Sequence, residues 1–188
     1  MTISTLMTIS PLDGRYAEKV RDLRPIFSEY GLIRFRVIVE IRWLQMLAEH
    51  GNLPELPPFS RHANDILNNI IANFSEQDAV RIKHIESGIN HDVKAVEYFL
   101  KERIENNQEL AKVGEFIHFG CTSEDINNLA YALMLQSAHK QSILPALDEL
   151  LALLKHVAHE HAAVPMLART HGQPATPTTV GKEIANFI

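Results

Sequence analysis

The sequence contains very little cysteine and no long hydrophobic run. Cys121 is the only cysteine among 188 residues, which excludes an intramolecular disulfide and a zinc site built from cysteines. The longest uninterrupted apolar stretch, 129–135, is far shorter than the roughly 20 residues that a membrane-spanning helix needs. The first ten residues lack the basic start and the apolar segment of a signal peptide. We therefore expect a cytoplasmic protein that is neither secreted nor embedded in a membrane.

Positive charge is also in short supply. The chain has 18 lysines and arginines against 23 aspartates and glutamates, which gives a net charge of −5. A protein with this balance has no general attraction for nucleic acid or anionic lipid, so we expect neither as a partner. Any anionic ligand must then be held by a local site. The content of 46% apolar and 22% charged residues is typical of a folded globular protein and excludes a disordered or fibrous one.

The apolar residues recur at helical spacing along most of the chain. Between residues 26 and 48 they follow one another at steps of three and four, and Gly51 and Pro54 supply a stop, so we predict a helix there. The prolines of residues 53–60 indicate a linker. Shorter helices follow, of which one is predicted to start at the capping residue Ser75.

The longest predicted helix runs from about residue 126 to residue 163. Thr122 offers a capping hydroxyl before it, and only Pro145 interrupts its apolar stripe, where we predict a kink. A helix of about 40 residues is on the order of 60 Å long. A compact chain of this size cannot cover such a helix, which indicates a bundle completed by other subunits or by further sequence.

The last part of the chain has fewer apolar residues at regular spacing. Residues 164–179 are predicted to be a loop, and Thr176 before Pro177 resembles the capped start of a final helix over residues 178–188. Strand-like alternation is not sustained anywhere. The predicted fold class is therefore all-α.

Four short segments concentrate polar residues beside the predicted helices. They are SPLDGRY at 10–16, NHDVK at 90–94, CTSED at 121–125 and RTHGQP at 169–174. Three of them lie at or just before predicted helix N-termini, with Asn90 as the expected cap of one helix. Unpaired backbone N–H groups and the helix dipole favour a bound anion at such positions. Taken singly, each segment is more simply interpreted as a cap or a turn.

Two histidines, His91 and His171, lie within these segments. Both are flanked by hydrogen-bonding residues, which suits a positioned acid or base because histidine changes its charge near neutral pH. Spacing alone does not choose between them. His156 and His159 are close enough on the long helix to suggest metal ligands, but no third ligand joins them at a recognised spacing. We predict no metal site.

These segments occur in a fixed order together with FSEYGLIRFRV at 27–37 and EFIHFGCTSEDINNLAYALML at 115–135. In this combination the chain closely resembles the bacterial adenylosuccinate lyases of the fumarase/aspartase superfamily, over essentially its whole length. The resemblance implies an N-terminal helical domain over residues 1–111, followed by the beginning of a long-helix bundle domain over residues 112–188. It also implies a homotetramer in which the long helices of all subunits form a central bundle.

The resemblance further implies a reaction and a set of site residues. The reaction is elimination of fumarate from adenylosuccinate, which gives AMP, and from the succinyl-carboxamide ribotide earlier in purine biosynthesis, with no metal or other cofactor. His171 matches the catalytic proton donor of the family, and on this ground alone we favour it over His91 as the acid. The matching substrate-binding positions are Arg15, Tyr16, Asn90, His91, Asp92, Thr122 and Ser123.

One family motif is absent from the 188 residues. The loop Ser-Ser-x-Met-Pro-x-Lys-x-Asn-Pro, which carries the serine that acts as general base in the family, does not occur. We therefore interpret the chain as the N-terminal part of a longer enzyme and expect no lyase activity from it alone. Two alternatives stay open, namely another fumarate-releasing lyase of the superfamily and a non-catalytic helical oligomerisation scaffold.

Overall fold

The computed structural model describes residues 5–188. The first four residues of the predicted domain 1–111, and of the ten-residue start that lacks signal-peptide features, lie outside the described residues. The described part is mostly helical and contains one small two-stranded sheet, which confirms the all-α fold class. Its helices are all too short or too polar to cross a membrane. The chain divides into two compact units, the first ending at Ser137 and the second spanning Ala138–Ile188. The domain boundary after residue 111 stays a prediction.

The α-helices of residues 5–188 are α1 (Arg24–Phe27), α2 (Glu29–His50), α3 (Arg61–Ala72), α4 (Glu76–Ile89), α5 (Asp92–Ile104), α6 (Gln108–Ala111), α7 (Ser123–Ala138), α8 (Leu144–Glu160) and α9 (Val180–Ala185). Short 3₁₀ turns lie at Thr5–Met7, Arg21–Leu23 and Gly114–Phe116, and a π-helical turn lies at His139–Ile143. The two strands are β1 (Pro165–Thr170) and β2 (Gln173–Thr179).

Helix α2 supplies much of the core of the first unit. Ser28 caps its start by accepting a hydrogen bond from the N–H of Gly31, and Gly51 ends it in the left-handed conformation, at φ 72°, which glycine adopts without steric cost. The helix predicted over residues 26–48 is thus confirmed, with Ser28 separating α1 from α2. Its apolar side chains pack against those of α3, α4 and α5. The shared core includes Val37, Ile41, Leu44, Leu67, Ile82, Val96 and Leu100.

The junction between α4 and α5 corrects one predicted cap. Ser75 starts α4 with a capping box, as expected. Asn90 does not cap α5 but ends α4, because its φ of 54° is left-handed and its N–H donates to the carbonyl of Glu86 at 2.7 Å. Asparagine tolerates this conformation better than most residues do. The cap of α5 is His91, whose Nδ1 accepts the N–H of Lys94 at 3.2 Å.

Helical backbone extends from Ser123 to Glu160 through α7, the π-helical turn and α8 in succession. This confirms helix over most of the range 126–163. The interruption expected at Pro145 takes the form of the π-helical turn directly before it. A proline ring crowds the carbonyl four residues earlier, here that of Gln141, and a wider turn at that point relieves the clash.

The loop predicted over residues 164–179 is wrong. This stretch forms an antiparallel hairpin in which Pro165 pairs with Thr179 and Thr170 pairs with Gln173. Its prolines suggested a loop, but proline is tolerated in a strand that has a partner on one side only. Neither strand has one continuously buried face, so the apolar alternation that reveals a strand in sequence is missing.

The start of the last helix also differs from the prediction. Thr176 and Pro177 belong to β2, and α9 spans Val180–Ala185 instead of residues 178–188. Its cap is Thr179, whose hydroxyl accepts the N–H of Lys182 at 3.2 Å. A threonine cap was the correct type of signal, but it lies three residues later than expected.

Candidate functional site

A buried arginine of α2 joins the NHDVK segment to the helix that begins within the CTSED segment. Arg36 is 6% exposed. Its Nε donates to Oδ1 of Asn127 at 2.9 Å, and its Nη2 donates to Oδ2 of Asp92 at 2.6 Å. Asp92 is the first residue of α5, and Asn127 lies in α7 just beyond Ser123. One guanidinium therefore holds the N-terminal ends of α5 and α7 next to each other.

Asp92 is engaged with protein groups through both of its carboxylate oxygens. Oδ2 accepts from Arg36, and Oδ1 accepts the N–H of Val93 at 2.9 Å. Partial burial by itself would raise the pKa of Asp92, but the N–H of Val93 and the guanidinium of Arg36 together hold it below its ordinary value. The carboxylate thus stays ionised and orients the start of α5.

We expect Arg36→Met to lower the free energy of unfolding by about 2–4 kcal/mol, because it removes a buried cation and leaves Asp92 and Asn127 without their partner. The loss stays below that of a fully buried pair because the Asp92 side chain is 47% exposed and water replaces part of the interaction. Urea unfolding measures it.

The matched control is Arg81→Met. Arg81 also binds a carboxylate through two nitrogens, at 3.0 and 2.5 Å from Glu102, but on the surface. An exposed pair contributes at most about 1 kcal/mol. Equal losses of stability in the two variants would contradict the joining role given to Arg36.

The CTSED segment forms a turn before α7 that is stabilised by hydrogen bonds to the carboxylate of Asp125. The backbone N–H and the hydroxyl of Thr122 donate to Oδ2 of Asp125 at 2.7 and 2.9 Å. These two hydrogen bonds keep the pKa of Asp125 below its ordinary value. The hydroxyl of Thr122 is therefore a donor to a side chain instead of the backbone acceptor that we predicted. Thr122 is exposed and Ser123 is half-buried.

A histidine and a glutamate that were not among the predicted site residues lie beside this segment. Nδ1 of His118 is 2.7 Å from Oε1 of Glu40, which is fully buried on α2 one helical turn after Arg36. Burial raises the pKa of Glu40, the negative charge of Glu97 adds to this, and the hydrogen bond with His118 opposes it. Arg36 and Glu40 lie one helical turn apart with only apolar residues between them. This spacing was the signal in the sequence that could have indicated buried charged groups with partners.

The SPLDGRY segment lies within a run of turns before α1. Arg15 and Tyr16 are both exposed, and the guanidinium lies 5.6 Å from the centre of the Tyr16 ring. A cavity of about 370 Å³ opens beside the segment, and its walls include Ser10, Asp13 and Arg24. Within residues 5–137, no hydrogen bond or ion pair joins Arg15 or Tyr16 to the N-termini of α5 and α7.

His171 lies at the tip of the hairpin in the second unit. His171 and Gly172 form the two-residue turn between β1 and β2, and both have positive φ, at 48° and 75°. This combination is characteristic of a type I′ turn. The side chain of His171 is exposed. The predicted turn is confirmed, and it presents the imidazole at the end of a short, well-defined ribbon.

Comparison with known sequences gives one family and closely similar relatives. A family model described as lyase matches residues 14–188. Adenylosuccinate lyase from Haemophilus influenzae is 60% identical over 188 residues, which are 100% of this chain and 41% of that protein. Adenylosuccinate lyase from Escherichia coli is 58% identical over 186 residues, which are 99% of this chain and 41% of that protein. The chain spans about two fifths of the length of these curated relatives.

Solved structures match at lower identity. A fumarate lyase from Mesorhizobium sp. BNC1 superposes with a TM-score of 0.65 at 22% identity, covering 89% of this chain and 36% of that one. The 3-carboxy-cis,cis-muconate lactonizing enzyme from Pseudomonas putida gives a TM-score of 0.61 at 23% identity, covering 88% of this chain and 36% of that one. These two matches establish the fold alone.

Proposed function

The chain belongs to the lyase family, and from its identity to curated relatives we propose that it is the N-terminal part of an adenylosuccinate lyase. The longer enzyme would eliminate fumarate from adenylosuccinate, giving AMP, and from the succinyl-carboxamide ribotide earlier in purine biosynthesis. The observation that carries the proposal is the high identity to curated adenylosuccinate lyases along the whole chain. Because the chain spans about two fifths of their length, the activity is proposed for the longer protein.

In the proposed elimination a base removes a proton beside a carboxylate, the C–N bond breaks, and an acid protonates the departing nitrogen as the double bond of fumarate forms. Negative charge builds on the carboxylate during this step, so hydrogen-bond donors aimed at it lower the barrier. We assign the acid role to His171. The base is expected from the part of the enzyme beyond this chain, and the reaction as written needs no metal or redox cofactor.

The two adjacent helix N-termini support a carboxylate-binding role for their segments. The starts of α5 and α7 are the positive ends of two helix dipoles, and Arg36 holds them next to each other. The residues that we propose to bind substrate here are Asn90, His91, Thr122 and Ser123. Asp92, which we predicted as a substrate contact, is proposed instead to orient this end of α5, since both of its carboxylate oxygens bind protein groups. Arg15 with Tyr16 is proposed to contact the nucleotide side.

The cap of α5 favours His171 over His91 as the acid. Nδ1 of His91 accepts a backbone N–H from Lys94 and must therefore be unprotonated. The other ring nitrogen, Nε2, is left to hydrogen-bond to substrate, and a proton gained at Nδ1 would remove the cap of α5. His171 lies in a turn, where its Nδ1 is not needed as a cap acceptor.

The exposed apolar face of α8 supports a homotetramer as the working form of the longer protein. Four leucines along this helix are between 41% and 58% exposed, namely Leu144, Leu147, Leu150 and Leu153. Because they recur every three residues, these leucines spread over about half of the circumference of the helix, which is characteristic of a helix that packs against further helices. We propose that it contributes to a central bundle of subunits, and that the enzyme, with its nucleotide substrate, works in the cytoplasm.

The test is an assay of the longer protein with a panel of substrates. We expect fumarate release, followed by its ultraviolet absorbance, from adenylosuccinate and from the succinyl-carboxamide ribotide, but not from argininosuccinate, malate or aspartate. Activity on one of the last three would favour another lyase of the superfamily. Failure on all five would favour a scaffold. Light scattering coupled to gel filtration measures the subunit number, and a monomer would overturn the tetramer.

A further inference from the structure

The pair formed by Glu40 and His118 is costly for the fold. Glu40 has no exposed surface, and only its Oε1 is satisfied, by Nδ1 of His118 at 2.7 Å. Within the described residues no group hydrogen-bonds to its Oε2. A buried carboxylate oxygen without a partner is unfavourable and uncommon in folded proteins.

The backbone of His118 carries a second cost. Its φ is 65°, in the left-handed region that residues with a side chain rarely adopt. The turn around it is pinned by two hydrogen bonds, from the N–H of Cys121 to the carbonyl of His118 at 3.2 Å and from Nε1 of Trp43 to the carbonyl of Phe119 at 2.8 Å. Unfavourable backbone conformations that the surroundings enforce are concentrated at functional sites.

The position of the imidazole connects these costs to the candidate site. Nδ1 of His118 is held by the fully buried Glu40, while 20% of the His118 side chain remains exposed to solvent. The turn leads directly into the CTSED segment at the start of α7. An imidazole anchored at one nitrogen presents the other in a fixed direction, and the anchor selects the tautomer.

The other charged groups near Glu40 do not replace His118 as its partner. Glu97 of α5 is negative and is itself paired with Lys94 at 2.7 Å and Lys101 at 3.1 Å. Burial, together with the charges of Glu40 and Asp125, raises the pKa of the Cys121 thiol, which therefore stays protonated at neutral pH. Among the described residues, His118 is the one group that hydrogen-bonds the Glu40 carboxylate.

We propose that Glu40 is a positioning residue that accepts the Nδ1–H of His118, fixes this ring as one tautomer and presents its Nε2 as a hydrogen-bonding group to the substrate at the start of α7. This inference rests on the proposed lyase function. Glu40 itself does not touch substrate. It acts through the ring, as the carboxylates that orient functional histidines do.

The test uses Glu40→Gln in the longer enzyme. The substitution keeps the shape of the side chain and removes the buried charge, so stability to urea should be equal or higher. We expect kcat/KM to fall roughly tenfold to a hundredfold and its pH profile to change. Losses of this size are typical when a residue that orients a functional histidine is replaced. In a His118→Gln background the same substitution should have little further effect, because the two residues act as one unit.

Two controls make the outcome decisive. Glu97→Gln removes a neighbouring buried carboxylate that does not contact His118, so its effect should be the same with His118 present or replaced. Histidine-selective ¹⁵N NMR, with His118→Gln identifying the signal, should show Nδ1 protonated in the parent and a changed spectrum in Glu40→Gln.

Three results would overturn the positioning role. They are an unchanged kcat/KM and pH profile in folded Glu40→Gln, an undiminished effect of Glu40→Gln without His118, and a His118 ring protonated at Nε2 alone. If the parent releases no fumarate from any purine substrate, the proposed function fails. The NMR measurement still decides the role of Glu40 in that case.

Discussion

Replacing His171 by asparagine is expected to lower kcat of the longer enzyme by about a hundredfold to ten-thousandfold, with little change in the substrate dissociation constant. A proton donor acts in the transition state, where the departing nitrogen gains negative charge, and asparagine cannot transfer a proton there. Single-turnover kinetics measures the chemical step, and equilibrium binding of the substrate is measured separately.

The hairpin should keep its conformation when His171 is replaced by asparagine. Asparagine is among the residues favoured at the positive φ of a type I′ turn, so it fits the 48° of His171 and should keep the ribbon intact. The comparison variant is His91→Asn, which we expect to weaken substrate binding more than the chemical step. If His91→Asn loses kcat while His171→Asn keeps it, the two roles are the reverse of those proposed.

A single methyl group at Gly31 should be the most disruptive small substitution in the first unit. A Cβ at this position would lie 2.2 Å from the carbonyl oxygen of Ile26 and 2.9 Å from that of Pro25. Both atoms belong to the backbone of α1, which cannot yield as a flexible side chain can. We expect Gly31→Ala to lower the free energy of unfolding by about 3 kcal/mol or more, measured by urea unfolding.

Gly88 provides the matched control. It also lies in a helix, α4, but a Cβ there would meet nothing within 4 Å. Alanine is a better helix former than glycine by roughly 0.5–1 kcal/mol, so Gly88→Ala should be neutral or slightly stabilising. Comparable unfolding curves for the two alanine variants would show that the contact between α1 and α2 is not as tight as described.

The helices were predictable because their signals are local. Apolar spacing and the stops after residue 48 located α2, and the capping box at Ser75 located α4. Each of these signals acts within a few residues of the place where it is read. The turn at His171 belongs to the same class, since Gly172 next to it favours a tight reversal.

The hairpin over residues 165–179 was not predictable in this way. Its strands are defined by backbone hydrogen bonds to each other, and their side chains do not separate into an apolar and a polar face. The prediction of Asn90 as the cap of α5 was wrong for a related reason. Asn90 suits the N-cap of one helix and the left-handed end of another, and the packing of α4 against α5 decided between them.

Linear motifs indicated Asn90, His91, Asp92, Thr122 and Ser123, but the groups that hold these segments together emerged only from the tertiary structure. Arg36 meets Asp92 and Asn127 across 56 and 91 positions of sequence, and Glu40 meets His118 across 78. From sequence alone, a charged residue in an apolar helix is either a surface residue or a buried one with a partner. Which of these it is depends on what packs against it, because a buried charge is tolerated only where the fold supplies its hydrogen bonds.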